Sequence, residues 1–287
     1  MGVSVVIPTL NAQAQIGRLL DALNAQSLRP QEILVVDSES TDHTLEIAQA
    51  HGAQVICIER ASFDHGGTRD EALRRTKGEV VVFMTQDALP VDERFLERLT
   101  APLAQANVAA VGGRQIAYPH ASASEKLIRA HNYPAQSRVW GAADIARLGV
   151  RAFLISDVSA AYRREAYLAV GGFDHPLLTN EDMLICDKLM REGYSLAYAG
   201  DACVYHSHDF TWMQQFRRNR AIGIVLERYA DRFANKSEMG EGMALVKTVL
   251  LSLLKERHII ECVRFCWGCS ARLLGNRVGR FSEKRRK

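Results

Sequence analysis

Acids at the ends of apolar runs, followed late in the chain by imidazoles and guanidiniums, are the residues of this sequence that could do chemistry. In VVVFMTQDALP (80–90) an apolar run leads to Asp87. A carboxylate at the mouth of a buried strand is costly unless something pairs with it. Hard cations such as Mg2+ and Mn2+ take one or two carboxylates plus phosphate oxygens, so Asp87 is a candidate metal ligand. EILVVD (32–37) also ends in an acid, Asp37, which could accept from the imide N–H of a pyrimidine base. Ser40, Thr41 and Asp42 beyond it suit a turn or a helix cap equally well. LLTNEDMLICDKL (177–189) sets Glu181 beside Asp182 at a helix start, where acids also suit the helix dipole. VYHSHDF (204–210) places His206 and His208 on one side of an extended chain, as metal ligands or structural histidines. QQFRRNRAIG (214–223) carries Arg217, Arg218 and Arg220, either a solvated face or a clamp on phosphate oxygens.

The elements that must position these groups alternate. Strands are predicted at 3–8, 32–37, 54–59 and 80–85, with helices at 16–26, 44–52 and 68–78, the last stopped by Gly78. The strands are continuous β-branched runs, the pattern of parallel strands buried on both faces. An α/β, doubly wound, mostly parallel sheet follows, with ligands beyond the carboxyl ends of its strands. That rule gives Asp37 and Asp87 their meaning. No G-x-G-x-x-G follows the first strand, which disfavours a dinucleotide fold. Residues 1–110 read as a nucleotide-binding half. Residues 111–235, with strand-like pieces and a helix at 181–193, read as the second half of the same domain. Residues 236–287 read as a tail of one or two basic amphipathic helices.

Charge is unevenly placed. Net charge is +3, but residues 240–287 carry eleven Lys/Arg against four Asp/Glu, a net +7, leaving −4 for residues 1–239. A basic amphipathic tail suits an anionic membrane surface, a cap on the domain or a dimer contact. The acidic body disfavours nucleic acid as a partner. MALVKTVLLSLL (243–254) is too short to span a bilayer. With no secretory signal at the start, the six cysteines suggest reduced thiols and a cytoplasmic protein.

In combination, SVVIPTLNA, VVDSESTDHT, GGTRDEALRRTKGEVVVFMTQDALP, VGGFDHPLLTNEDMLICDKLMREGY, VYHSH and QQFRR resemble the inverting nucleotide-sugar glycosyltransferases of family 2, with the GT-A fold. The resemblance covers about residues 3–235, and bacterial rhamnosyltransferases are the most similar branch. It implies a metal-dependent enzyme moving a sugar from a dTDP- or UDP-sugar, with dTDP-rhamnose favoured, to a hydroxyl of a glycan or lipid-linked glycan. It also implies that Pro8, Thr9, Asn11 and Asp37 line the base and ribose pocket, with Arg69 nearby. Gln86-Asp87-Ala88 stands where the family usually has Asp-x-Asp, so only Asp87 remains as a carboxylate ligand and the histidines share the metal. Asp182 matches the catalytic base, with Glu181 beside it. Asn219 replaces the Trp of the Gln-x-x-Arg-Trp element of processive relatives, which argues against a polymer-extruding enzyme.

Two other classes are weighed against this. A non-catalytic sugar-nucleotide or glycan-binding module on the same fold would not need all the acids. Cys262, Cys266 and Cys269 have the spacing of an iron–sulfur site, and with His258 could form a zinc site. The same four residues also fall on one face of a helix, where a small contact stripe explains them.

Overall fold

The computed structural model describes residues 1–233 and 238–286, so the domain boundary expected at 235 falls outside the described residues. The first half is β1 (Val3–Thr9), α1 (Ile16–Asn24), β2 (Glu32–Asp37), α2 (Thr44–Ala50), β3 (Gln54–Cys57), α3 (His65–Arg75) and β4 (Val80–Met84). Then come β5 (Leu89–Pro90), α4 (Phe95–Thr100), β6 (Val108–Ile116), α5 (Ala123–Asn132), β7 (Arg138–Trp140), α6 (Ile145–Leu148), β8 (Ser159–Arg163) and α7 (Arg164–Ala169). The chain continues through α8 (Glu181–Arg191), β9 (Ser195–Tyr205), α9 (Trp212–Arg228), α10 (Ala230–Phe233), α11 (Glu238–Lys255) and α12 (Ile259–Lys284).

One sheet has the order β3-β2-β1-β4-β8-β6-β9-β5, with β7 paired to β9 off that path. β1, β2, β3 and β4 are parallel neighbours, as the βαβ rhythm predicts. β8 runs antiparallel to both β4 and β6, so the sheet is mixed beyond β4. Parallel pairing resumes only between β6 and β9. The β-branched runs bury both faces. Val3, Val5 and Ile7 face Ile16, Leu19, Leu20 and Leu23 of α1, while Val6 joins Phe83, Tyr162, Tyr167 and Phe173 on the other side. Each such side chain contributes about 1.5–3 kcal/mol by leaving water.

The observed α3 starts earlier and ends earlier than predicted. Asp64 caps it, accepting from Gly67 N at 2.7 Å, and the chain turns extended at Thr76. Gly78 therefore does not stop the helix. It lets the chain pass close to β1, because a Cβ there would stand 2.5 Å from Ser4 Oγ.

The basic tail forms two helices, and α12 lies against α9. Gly223, Gly275 and Gly279 allow this: a Cβ on any of them would meet backbone of the opposite helix within 2.4 Å. Val249, Leu253, Cys262 and Phe265 bury with Ile128 of α5. Leu251, Leu254, Ile259, Ile260, Val263 and Trp267 remain exposed. Among the described residues, no helix is long and apolar enough to cross a membrane.

Candidate active site

The chain turns back beside β1 to form β4, and the loops leaving both strands open on one crevice. Gln86 clasps these loops together: Leu10 N donates to its Oε1 at 2.8 Å, and its Nε2 donates to Leu10 O at 3.2 Å. Asp87 follows. The antiparallel pairing of Leu89 with Tyr205 then brings the end of β9 alongside. Asp87 Oδ2 lies 3.5 Å from His206 Nε2 and 3.4 Å from His208 Nε2, with all three ligand atoms within 4.8 Å of one another. Burial alone would raise the Asp87 pKa. The hydrogen bond and charge of His206, the Thr85 hydroxyl and the charge of His208 outweigh it and hold the carboxyl well below its usual range. Burial and the charge of His206 push His208 down to about 4 against the pull of Asp87, so its imidazole is neutral at pH 7 and free to ligate. One carboxylate and two imidazole nitrogens converging in this way fit a divalent cation.

A second group forms at the start of α8. Arg69, 4% exposed, places NH1 3.4 Å from Glu181 Oε1 and Nε 3.8 Å from Asp157 Oδ2. Its ionic partners among the described residues are therefore these acids, because α3 faces the start of α8. Tyr162 OH donates to Asp157 Oδ1 at 2.8 Å. One guanidinium cannot offset two buried carboxyls and a third, half-buried one. Burial, Glu181 and Asp157 push Asp182 well above the usual carboxylate range, against the Met183 N–H and Arg69. Burial and Glu181 likewise raise Asp157 to about 7, against Arg69 and the Tyr162 hydroxyl. A carboxylate of raised proton affinity is what a general base requires. Asp182 opens on a cavity of about 290 Å3 that is also lined by Asn180, Tyr133, Tyr198, Arg138 and Arg151.

Arg218 is near enough to both groups to exchange charge effects with them. Its positive charge helps hold His208 down, and Asp182 and Tyr133 act on it in turn, while its guanidinium sits 5.6 Å from the centre of the Phe210 ring. The 100° step of a helix turns Arg217 and Arg220 away from the direction of Arg218, and all three side chains are exposed. Of the three, Arg218 is the one whose charge is felt at His208.

Pro8, Thr9, Asn11 and Asp37 gather at the ends of β1 and β2. Asp37 is fully buried and accepts from Thr9 Oγ1 (3.0 Å), Ser40 N (2.8 Å) and Ser40 Oγ (2.6 Å). Asn11 N donates to Ser40 Oγ, and Thr41 N to Asn11 Oδ1. Much of the bonding capacity of Asp37 therefore goes to organising the loop.

Comparison with known proteins agrees with this geometry. The family model described as Glycosyl transferase family 2 matches residues 4–171. The chain belongs to that family. Family members with similar sequences include the O-antigen chain rhamnosyltransferase WbaN of Salmonella anatum, 35% identical over 258 residues, 88% of this chain and 81% of that protein. The O-antigen chain rhamnosyltransferase RfbN of Salmonella typhimurium is 34% identical over 261 residues, 89% and 82% of the two chains. Among solved structures, a mannosyltransferase from Pyrobaculum calidifontis, in complex with GDP-Man and Mn2+, has a TM-score of 0.66 at 20% identity over 97% of this chain and 86% of that one. S. aureus TarS 1–349 with UDP-GlcNAc gives 0.59 at 17% identity, covering 100% and 93%. These likenesses show the GT-A fold, and the family makes the chain a glycosyltransferase.

The iron–sulfur alternative gains no support from the structure. Cys262, Cys266 and Cys269 sit along the continuous helix α12, with Cys262 buried and Cys266 exposed. Among the described residues, the only ligand group that converges is Asp87, His206 and His208. Sequence reasoning missed Asp157, Tyr133 and Gln115. Asp157 alone carried a readable signal, an acid interrupting the apolar FLISDVSAAY just before a strand.

Proposed function

We propose that this chain transfers rhamnose from dTDP-rhamnose to a hydroxyl of a lipid-linked glycan acceptor of O-antigen type, with inversion at the anomeric carbon. The observation that carries this reading is a convergent metal-ligand triad together with a raised-affinity aspartate lining a sugar-sized cavity, both within reach of the charge of Arg218. The names of the relatives supply the sugar and the kind of acceptor. Asp87, His206 and His208 would hold Mg2+ or Mn2+, which would offset the charge that builds on the leaving diphosphate. Thr9, Asn11 and Asp37 border the base and ribose, with Pro8 and Gln86 shaping that wall. Arg218 faces the diphosphate. Tyr133 and Tyr198 offer aromatic faces to the acceptor sugar. Asp182 takes the proton from the acceptor hydroxyl as it attacks from the face opposite the nucleotide. Glu181 and Asp157 keep that carboxylate's proton affinity high, and Arg69 holds the three acids together.

The exposed apolar residues of α11 and α12, flanked by Lys255, Arg257 and Arg264, suit docking on the anionic inner face of the cytoplasmic membrane, where a lipid-linked acceptor would lie. A binding module without catalysis would have no use for Asp182 at raised proton affinity.

The deciding experiment incubates the full chain with dTDP-rhamnose, or with UDP-sugars, in Mn2+ or in EDTA, and measures nucleoside diphosphate release. Slow Mn2+-dependent hydrolysis of dTDP-rhamnose, lost in Asp87→Ala, is expected. No release from any donor with Mn2+ present would refute the reading.

A further inference from the structure

His206 has a partner on the side away from Asp87. Gln115, on β6, is 2% exposed, and its Oε1 lies 2.9 Å from His206 Nδ1. The same oxygen accepts from Arg129 NH1. A guanidinium can only donate, so the Gln115 atom facing it is the carbonyl oxygen, not the amide nitrogen. That oxygen can only accept, so His206 Nδ1 carries the hydrogen. In the neutral form of the ring the lone pair is therefore on Nε2, the atom turned toward Asp87; in the protonated form that nitrogen donates to Asp87 instead. Both ends of this contact are anchored by secondary structure. β6 and β9 pair in parallel with Ile116 opposite Tyr205, and His206 N donates to Ile116 O at 2.8 Å. Arg129 Nε donates to Glu125 Oε1 one turn earlier on α5 at 2.8 Å, so the guanidinium is held as well.

We propose that Gln115, oriented by Arg129, is a positioning residue that fixes His206 in the tautomer and ring orientation needed to ligate a divalent cation through Nε2. This rests on reading Asp87, His206 and His208 as a metal site. A second observation favours a positioning role over a packing one. Gln115 Nε2 is buried without a hydrogen-bond partner among the described residues, an expense that an apolar side chain of similar length would avoid. Partners of this kind on metal-bound histidines are commonly worth 10–100-fold in metal affinity.

The test titrates Mn2+ into the full chain in the presence of dTDP, following free Mn2+ by electron paramagnetic resonance, for wild type, Asp87→Ala, Gln115→Leu and Gln115→Glu. Thermal melts of each variant accompany the titrations. Gln115→Leu should weaken Mn2+ binding by about 10–100-fold while still melting in a cooperative transition, somewhat below wild type because two largely buried donors lose their acceptor. Gln115→Glu, which accepts both hydrogen bonds, should restore most of that affinity. Wild-type binding that Asp87→Ala weakens but Gln115→Leu leaves intact would overturn the positioning role alone. So would a glutamate variant as weak as the leucine one. Binding insensitive to both Asp87→Ala and Gln115→Leu would overturn the metal site itself.

Discussion

Alanine at both Gly275 and Gly279 should damage this enzyme from outside its crevice. Each glycine lies inside α12, where alanine would ordinarily favour the helix by about 0.8–1 kcal/mol. Here a new Cβ would stand 2.4 Å from Phe216 O at position 275 and 2.1 Å from Arg220 O at position 279. Ordinary contact begins near 3.4 Å, and both obstacles are backbone atoms of α9 that cannot swing aside. The helices must therefore part by about 1 Å. Overpacking of this kind costs about 1–3 kcal/mol, so the steric term should exceed the propensity gain. Each net kcal/mol lost should lower the melting temperature by about 2–4 °C in a chain of roughly this size. Function should suffer more than stability, because α9 carries Arg218, and a shift of about 1 Å in a positioning group can lower turnover about 100-fold. Gly268→Ala is the control: it lies on the same helix with nothing within 4 Å of the added atom, and should melt slightly higher than wild type. Calorimetry and donor hydrolysis read the two effects. If the Gly275→Ala/Gly279→Ala protein melts at or above wild type, the close α9–α12 approach does not hold.

Asp182→Asn should lower transfer to acceptor by about 10²–10⁴-fold while leaving donor binding intact; near wild-type turnover would remove Asp182 from the mechanism. Because Asp182 must be ionised to act and its pKa lies above the usual carboxylate range, activity should fall on acidification at a higher pH than an ordinary carboxylate base would give. Glu181→Gln removes a like charge, lowers the Asp182 pKa, and should move that acid limb to lower pH in a pH–rate profile; an unmoved limb contradicts the assignment. The membrane reading predicts that the full chain floats with phosphatidylglycerol vesicles more than with phosphatidylcholine vesicles. Ile260→Glu with Val263→Glu, at positions 71% and 67% exposed, should abolish that flotation without changing the melting temperature, and flotation that survives the double change would exclude this face.

What the sequence determined by itself is whatever depends on local order along the chain. Period and composition mark the strands: VSVVIP and EILVVD have no polar alternation because both faces of their sheet are covered. The acids at strand ends were visible for the same reason, since Asp37 and Asp87 interrupt runs that only a buried strand explains. Local pattern also placed Glu181-Asp182 at the start of α8 and His206 and His208 on one side of the chain leaving β9.

The tertiary structure decided which of these meet. Asp87 reaches the histidines only because Leu89 pairs with Tyr205, a register that no short window encodes. Arg69 sits between Glu181 and Asp157 because α3 faces the start of α8, and the arginine run spreads its side chains because a helix disperses neighbours around its axis. Gln115 and Arg129 had no pattern to announce them, and the acid that interrupts an apolar run at Asp157 did not say what it would meet, because their effects come from through-space proximity within a poorly solvated interior. Proximity of that kind is fixed by sheet order and helix packing, where charge and hydrogen bonds act across a few ångströms regardless of distance along the chain.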